Sequence, residues 1–239
     1  MEVINRLLNY RDLKIVQNTD WFAFSLDSVL LANFVTINKN TKNIIDLCTG
    51  NAPIPIILST KTDADITCVE LQKEIYDLAK KSIDINKLQD RIKLINMNVR
   101  NLTCKYETDS FDVITCNPPY FKVKESSNLN DNMIKTIARH EIYLELDDIF
   151  SIAKKLLKNN GIISIVHRPD RLVEIIESMR KNNIEPKKIR FVYPKKNTEC
   201  NIILIEGTKN GKPGLKIMQP LYVHDEKGNY LPEIKEYFQ

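Results

Sequence analysis

Short apolar runs recur along the chain between stretches of helical periodicity. NIIDLC (43–48), DITCVE (65–70), RIKLIN (91–96), FDVITC (111–116) and GIISIV (161–166) are rich in Ile and Val and read as strands. Between the second and third, Leu71, Ile75, Leu78, Ala79 and Ile83 keep near-helical spacing. Before the fifth, Leu146, Ile149, Phe150, Ala153, Leu156 and Leu157 do the same, and Gly161 follows as a stop signal. This alternation predicts an α/β fold with a doubly wound, mainly parallel sheet. Two later runs, IRFVYP (189–194) and NIILIEG (201–207), have no helix between them and predict an antiparallel hairpin at the C-terminal end of that sheet.

Residues 1–42 form an extension before the first core strand. There LKIVQN and WFAFS predict a small hairpin, and SLDSVLLANFV a helix with Ser25 as its cap. The core is expected over 43–207 and a polar, Gly/Pro-punctuated tail packed on it over 208–239, all within one domain.

Composition narrows the setting. The chain has 239 residues, 43% of them hydrophobic, which is enough for a full core but includes no run of eighteen apolar residues. MEVINRLLNYRD lacks a signal-peptide apolar region. Five cysteines, with no C-x-x-C pair, argue against a disulfide framework and a zinc site, so no metal is expected and a cytoplasmic location is. No membrane contact and no obligate protein partner is evident.

The net charge of +4 is unevenly placed. Residues 1–120 hold 14 Lys/Arg against 15 Asp/Glu, and 121–239 hold 21 against 16. The excess is densest in RKNNIEPKKIRFVYPKK (180–196), where a polyanion partner and a solvated lysine-rich surface are equally good readings of charge alone.

Two strand ends carry candidate chemistry. The first strand runs into DLCTGNAPIP, a small-residue turn at a helix start, the place where doubly wound folds hold nucleotide-like ligands. Only Gly50 survives of a dinucleotide fingerprint, and no P-loop lysine is present. Glu70 lies twenty residues after Gly50, at the end of the second strand, placed to accept hydrogen bonds from both hydroxyls of an adenosine ribose. Asn98, just after the third strand, could bond the adenine ring, with the Val99 N–H as a second contact. The fourth strand ends in Asn-Pro-Pro-Tyr (117–120). Pro118 and Pro119 remove two N–H donors and fix two φ angles, so the chain must leave the sheet rigidly with Asn117 and Tyr120 on the turn.

DLCTGNAPIP, CVEL and ITCNPPY, in that order, resemble the class I S-adenosylmethionine-dependent methyltransferases that modify exocyclic or amide nitrogens. QNTDWFAFSLDSVLLANF, ARHEIYLELDDIF and VHRPDRL extend the resemblance over nearly the whole chain to one subgroup, the bacterial tRNA1(Val) adenine-37 N6-methyltransferase family. Cys48 and Ala52 stand where such turns often carry glycine, and Asn98 where an aspartate is common.

The resemblance implies a Rossmann-like fold, S-adenosylmethionine as cofactor and tRNA as partner. It implies a cofactor site of Asp46, Gly50, Asn51, Glu70, Leu71, Asn98, Val99 and Asn117, and catalysis by Asn117, Pro118 and Tyr120. The Asn117 oxygen and the Pro118 carbonyl would each accept one N–H of the target amine, freeing its lone pair for attack on a methyl group, while Tyr120 offers a ring face for the extruded base. Arg139, Lys187, Lys188, Arg190, Lys195 and Lys196 are the expected phosphate contacts. The connection 121–140 reads as a substrate lid or a disordered segment. The alternatives are methylation of a protein glutamine amide or of an rRNA guanine N2, or a catalytically silent RNA-binding relative.

Overall fold

In the computed structural model, residues 1–7, 12–21, 25–120 and 144–238 are described. Arg139 and the expected lid at 121–140 lie outside them.

The central sheet is built on β3 (Asn43–Leu47), β4 (Asp65–Glu70), β5 (Ile92–Asn96) and β6 (Phe111–Cys116), continued by β7 (Leu157–His167), β8 (Ile184–Tyr193) and β9 (Ile202–Lys209). Its order is β5-β4-β3-β6-β7-β9-β8, parallel throughout except for β9, which lies antiparallel between β7 and β8. The expected hairpin β8–β9 is present, with its second strand inserted inward. β10 (Lys216–Ile217) and β11 (Leu221–Tyr222) then add to the outer edge of β8, so the tail finishes the sheet. The inner strands are near-continuous apolar runs because both faces are covered. Ile44 and Ile66 face one buried cluster, and Ile45, Leu47 and Ile114 face the other.

Helices α1 (Leu26–Phe34), α2 (Pro53–Leu58), α3 (Lys73–Ile85), α4 (Leu102–Lys105), α5 (Leu146–Leu156), α6 (Leu172–Lys181) and α7 (Pro232–Glu236) complete the described elements, apart from two 3₁₀ turns. The strand order reverses between β3 and β6, the crevice where open α/β sheets bind ligands. Leu47 pairs with Cys116, so the turn after β3 and the Asn-Pro-Pro-Tyr segment leave the sheet side by side.

The N-terminal hairpin differs from expectation. β2 (Lys14–Asn18) pairs with β1 (Glu2–Arg6), not with WFAFS, of which residues 22–24 lie outside the described set. The other edge of β2 is satisfied by side chains. Asn86 accepts from the Lys14 N–H at 2.9 Å and donates to the Lys14 carbonyl at 2.7 Å. The Val16 N–H donates to Ser82 Oγ at 3.0 Å, and Asn51 Nδ2 donates to the Val16 carbonyl at 2.9 Å. Two side chains of the α3 region and one from the turn after β3 thus stand in for a neighbouring strand.

Candidate active site

The turn after β3 is tight because three of its residues take left-handed backbone: Cys48 (φ 57°), Gly50 (φ 60°) and Ala52 (φ 71°). Glycine adopts this region freely, and a Cβ costs roughly 1–2 kcal/mol there. The geometry gives the reason why glycine suits positions 48 and 52, and the chain bears that strain at both.

Asp46 holds the turn from beneath. It is wholly enclosed, and its two oxygens accept from Thr49 Oγ1 and Thr115 Oγ1, each at 2.6 Å. Burial pushes its pKa up to about 7 against the pull of those hydroxyls. Asp46 thus has both oxygens engaged within the protein. It faces β6 and the turn backbone, and its role is to lock one to the other.

Glu70 ends β4 beside this turn. One oxygen accepts from the Gly50 N–H at 3.0 Å and the other from the Gln72 N–H at 2.9 Å. Burial raises its pKa to about 7, with those backbone donors opposing the rise. Each oxygen keeps a second lone pair. Leu71 follows with 37% of its surface exposed, an apolar group next to the carboxylate. Asn51 is 2% exposed, and its Oδ1 has no hydrogen-bond partner among the described residues. A tethered carboxylate, an acceptor without a donor and an exposed leucine fit a ligand with O–H and N–H donors and an apolar face. At the end of β5 the Asn98 Oδ1 caps the next turn through the Arg100 N–H at 3.0 Å, and Val99 is buried.

The Asn-Pro-Pro-Tyr segment is clasped by the first turn of α1. Asn117 Nδ2 donates to Ser28 Oγ at 3.2 Å. The Tyr120 hydroxyl lies 2.8 Å from both Asn117 Oδ1 and Asp27 Oδ2. Burial raises the pKa of Asp27 and pushes the Tyr120 phenol well above its ordinary range. Behind Tyr120 sits the ring of His167, 5.2 Å away between centroids and tilted 50°. His167 Nδ1 accepts from the Arg168 N–H at 2.8 Å, which places the ring proton of the neutral form on Nε2. Burial lowers its pKa to about 4, so the ring is neutral at physiological pH.

Asp27, Ser28, Thr115 and His167 were not singled out from sequence. The available signal was in SLDSVLLANF, where a lone carboxylate sits at the head of an otherwise apolar helix.

The expected phosphate contacts divide. Arg190 is only 8% exposed, donates from both terminal nitrogens to Glu233 at 2.6 and 2.8 Å and also meets Tyr237 and the Gln219 carbonyl. Lys188 has its Nζ held by the Phe34 carbonyl and Thr36 Oγ1 at 2.8 Å each and by Glu206 at 3.2 Å. Arg190 secures the sheet edge to α7, and Lys188 secures it to the end of α1. Lys187 donates to the Lys212 carbonyl at 2.9 Å. Lys195 and Lys196 are exposed after β8, whose carboxyl end lies on the same side of the sheet as that of β6. Exposed Arg168, just after β7, lies there too.

The methyltransferase small domain model matches residues 24–182. A tRNA1(Val) (adenine(37)-N6)-methyltransferase of Shewanella woodyi is 26% identical over 88% of each chain. The enzyme of the same name from Cytophaga hutchinsonii is 26% identical over 79% of this chain and 78% of its own. Among solved structures, a predicted O-methyltransferase of Agrobacterium tumefaciens superposes with a TM-score of 0.71 at 19% identity, covering 89% of this chain and 95% of the other. That likeness and the strand order establish the class I methyltransferase fold. The family match spans the β3 turn, the end of β4, the Asn-Pro-Pro-Tyr exit and the helix that clasps it, and the chain belongs to the methyltransferase small domain family.

Proposed function

We propose that the protein is a tRNA (adenine-N6)-methyltransferase that uses S-adenosylmethionine and modifies the adenine 3′ of the anticodon, position 37, in valine tRNA. The observation carrying this reading is the Leu47–Cys116 register, which sets the Asn-Pro-Pro-Tyr exit against the turn after β3. A methyl donor held at one would meet an amine held at the other. The names of the relatives from Shewanella woodyi and Cytophaga hutchinsonii support the substrate. All five cysteines are free thiols, which suits action in the cytoplasm.

Glu70 would take the ribose hydroxyls on its remaining lone pairs, and Leu71 would cover a face of the adenine. Bound S-adenosylmethionine supplies an electrophilic methyl group on a sulfonium centre. Asn117 Oδ1 and the Pro118 carbonyl accept the two N–H groups of the target amine, and the prolines hold these acceptors still. Catalysis is then positioning and charge complementarity, without a strong base. Tyr120 receives the base once it leaves its stack, which costs little in a single-stranded anticodon loop. Lys195, Lys196 and Arg168 face the same end and would hold phosphates.

The test is methyl transfer to unmodified valine tRNA in vitro. Transfer should map to the adenine just 3′ of the anticodon, and a transcript carrying guanine there should bind yet accept no methyl group. Equal methylation of the guanine transcript would refute the assignment.

A further inference from the structure

The contacts around Tyr120 do not balance for protons as they stand. Its hydroxyl lies 2.8 Å from two oxygens, Asp27 Oδ2 and Asn117 Oδ1, and carries one proton. Asn117 Oδ1 can only accept. Two arrangements resolve the shortage. With Asp27 protonated, its O–H donates to Tyr120, Tyr120 donates to Asn117 Oδ1, and Asn117 Nδ2 donates to Ser28 Oγ, as found. With Asp27 ionised, the Tyr120 proton turns to the carboxylate. The Tyr120 oxygen then needs a donor, which Asn117 supplies only by turning its amide over, so that Oδ1 accepts from the Ser28 hydroxyl.

Resting on the function proposed above, we propose that Asp27 is a positioning residue for methyl transfer: its protonated carboxyl, relayed through Tyr120, keeps the Asn117 oxygen on the side where the base stacks. Ionisation swings that oxygen to Ser28 and puts N–H donors where the amine needs an acceptor.

The surroundings favour the protonated form. Asp27 is partly buried between α1 and the β6 exit, and burial is the largest influence on it. Opposing it are hydrogen bonds from Tyr120, Ser25 and its own backbone N–H, and the charge of Arg168 after β7. Tyr120 is in turn faced by Cys116 and Arg168, with the neutral ring of His167 beside it.

The experiment has two arms. The first measures kcat on valine tRNA at saturating cofactor from pH 6 to 9 for wild type, Asp27→Asn and Asp27→Ala. Asp27→Ala should lose about tenfold in kcat, the worth of one orienting hydrogen bond, with little change in KM. An asparagine amide can donate to Tyr120 as the protonated acid does. Asp27→Asn should therefore recover most of that loss, and any fall in wild-type kcat as rising pH ionises Asp27 should be absent from it. An Asp27→Asn enzyme as impaired as Asp27→Ala, or one keeping the wild-type pH profile, would overturn the proposal.

The second arm needs no substrate. In free wild-type protein the Asp27 carboxyl carbon and the Asn117 side-chain amide should shift in NMR with one shared midpoint, and Tyr120→Phe should uncouple them. Asp27 titrating while the Asn117 amide stays still refutes the relay even if valine tRNA is methylated. A shared midpoint in a protein inactive on valine tRNA keeps the relay and refutes only the substrate.

Discussion

Binding of S-adenosylmethionine should strengthen about tenfold between pH 6 and pH 8, because in the role proposed for it Glu70 must be ionised to receive two ribose hydroxyls. Its pKa in the free protein is raised to about 7 by burial beside the β3 turn. At pH 6 only about one carboxyl in ten is ionised, so binding carries a penalty of about 1.4 kcal/mol that is nearly gone at pH 8. The same linkage requires release of about 0.9 proton per cofactor bound at pH 6 and about 0.1 at pH 8. Isothermal calorimetry in buffers of different ionisation enthalpy reads both quantities. Glu70→Gln should bind more weakly by roughly 1.5–3 kcal/mol and show neither dependence. Stability of the free protein runs the other way. With a folded pKa of about 7 against an ordinary 4.5, Glu70 contributes stability fully present below pH 4.5 and lost as pH rises through 7, up to about 3 kcal/mol. A wild-type affinity that is flat from pH 6 to 8 would refute the reasoning. So would a tenfold change that survives in Glu70→Gln, which would move the titration to Asp46.

Asn117→Ala should abolish turnover while leaving RNA affinity nearly intact, since its bonds matter most in the transition state; near-normal single-turnover rates would contradict this. Cys48→Gly removes left-handed strain of roughly 1–2 kcal/mol but adds chain entropy of about 0.5–1, so thermal denaturation should show a neutral to slightly stabilised protein. Arg190→Ala should lower stability by about 1–3 kcal/mol by stripping Glu233 and Tyr237 of their partner, with the salt dependence of RNA binding unchanged. Lys195→Ala with Lys196→Ala should instead leave stability alone and flatten the salt slope by about 0.7–0.9 per lost phosphate contact.

The inner strands were legible in the sequence because burial on both faces leaves them almost wholly apolar. DITCVE and FDVITC match β4 and β6 residue for residue. β7 and β8 start earlier than GIISIV and IRFVYP suggest. Their leading segments, LKNN and IEPKK, carry polar groups and a proline, LKNN ahead of the β7 pairing with β9 and IEPKK within the β8 pairing with β9, and composition alone does not mark them as strand. Helix α6 went unread although Ile175 and Met179 line its buried side. The cofactor turn, Glu70 and the Asn-Pro-Pro-Tyr exit were visible because turn chemistry is local. Asp27 and the fate of Arg190 were not. Each depends on a partner from 43 to 93 positions away, and charge density cannot tell a surface cation from one clamped by a distant carboxylate.

The side chains that complete β2 also impose an order on biosynthesis. Lys14 and Val16 wait for Ser82 and Asn86, which leave the ribosome some seventy codons later. At roughly 5–20 residues per second that is a delay of several seconds. Until then Val16, buried in the finished protein beside Ile75 and Leu78, lacks the helix that covers it. Damage to Ser82 or Asn86 would thus register first as lower yield in the cell, with the molecules that do mature retaining their chemistry.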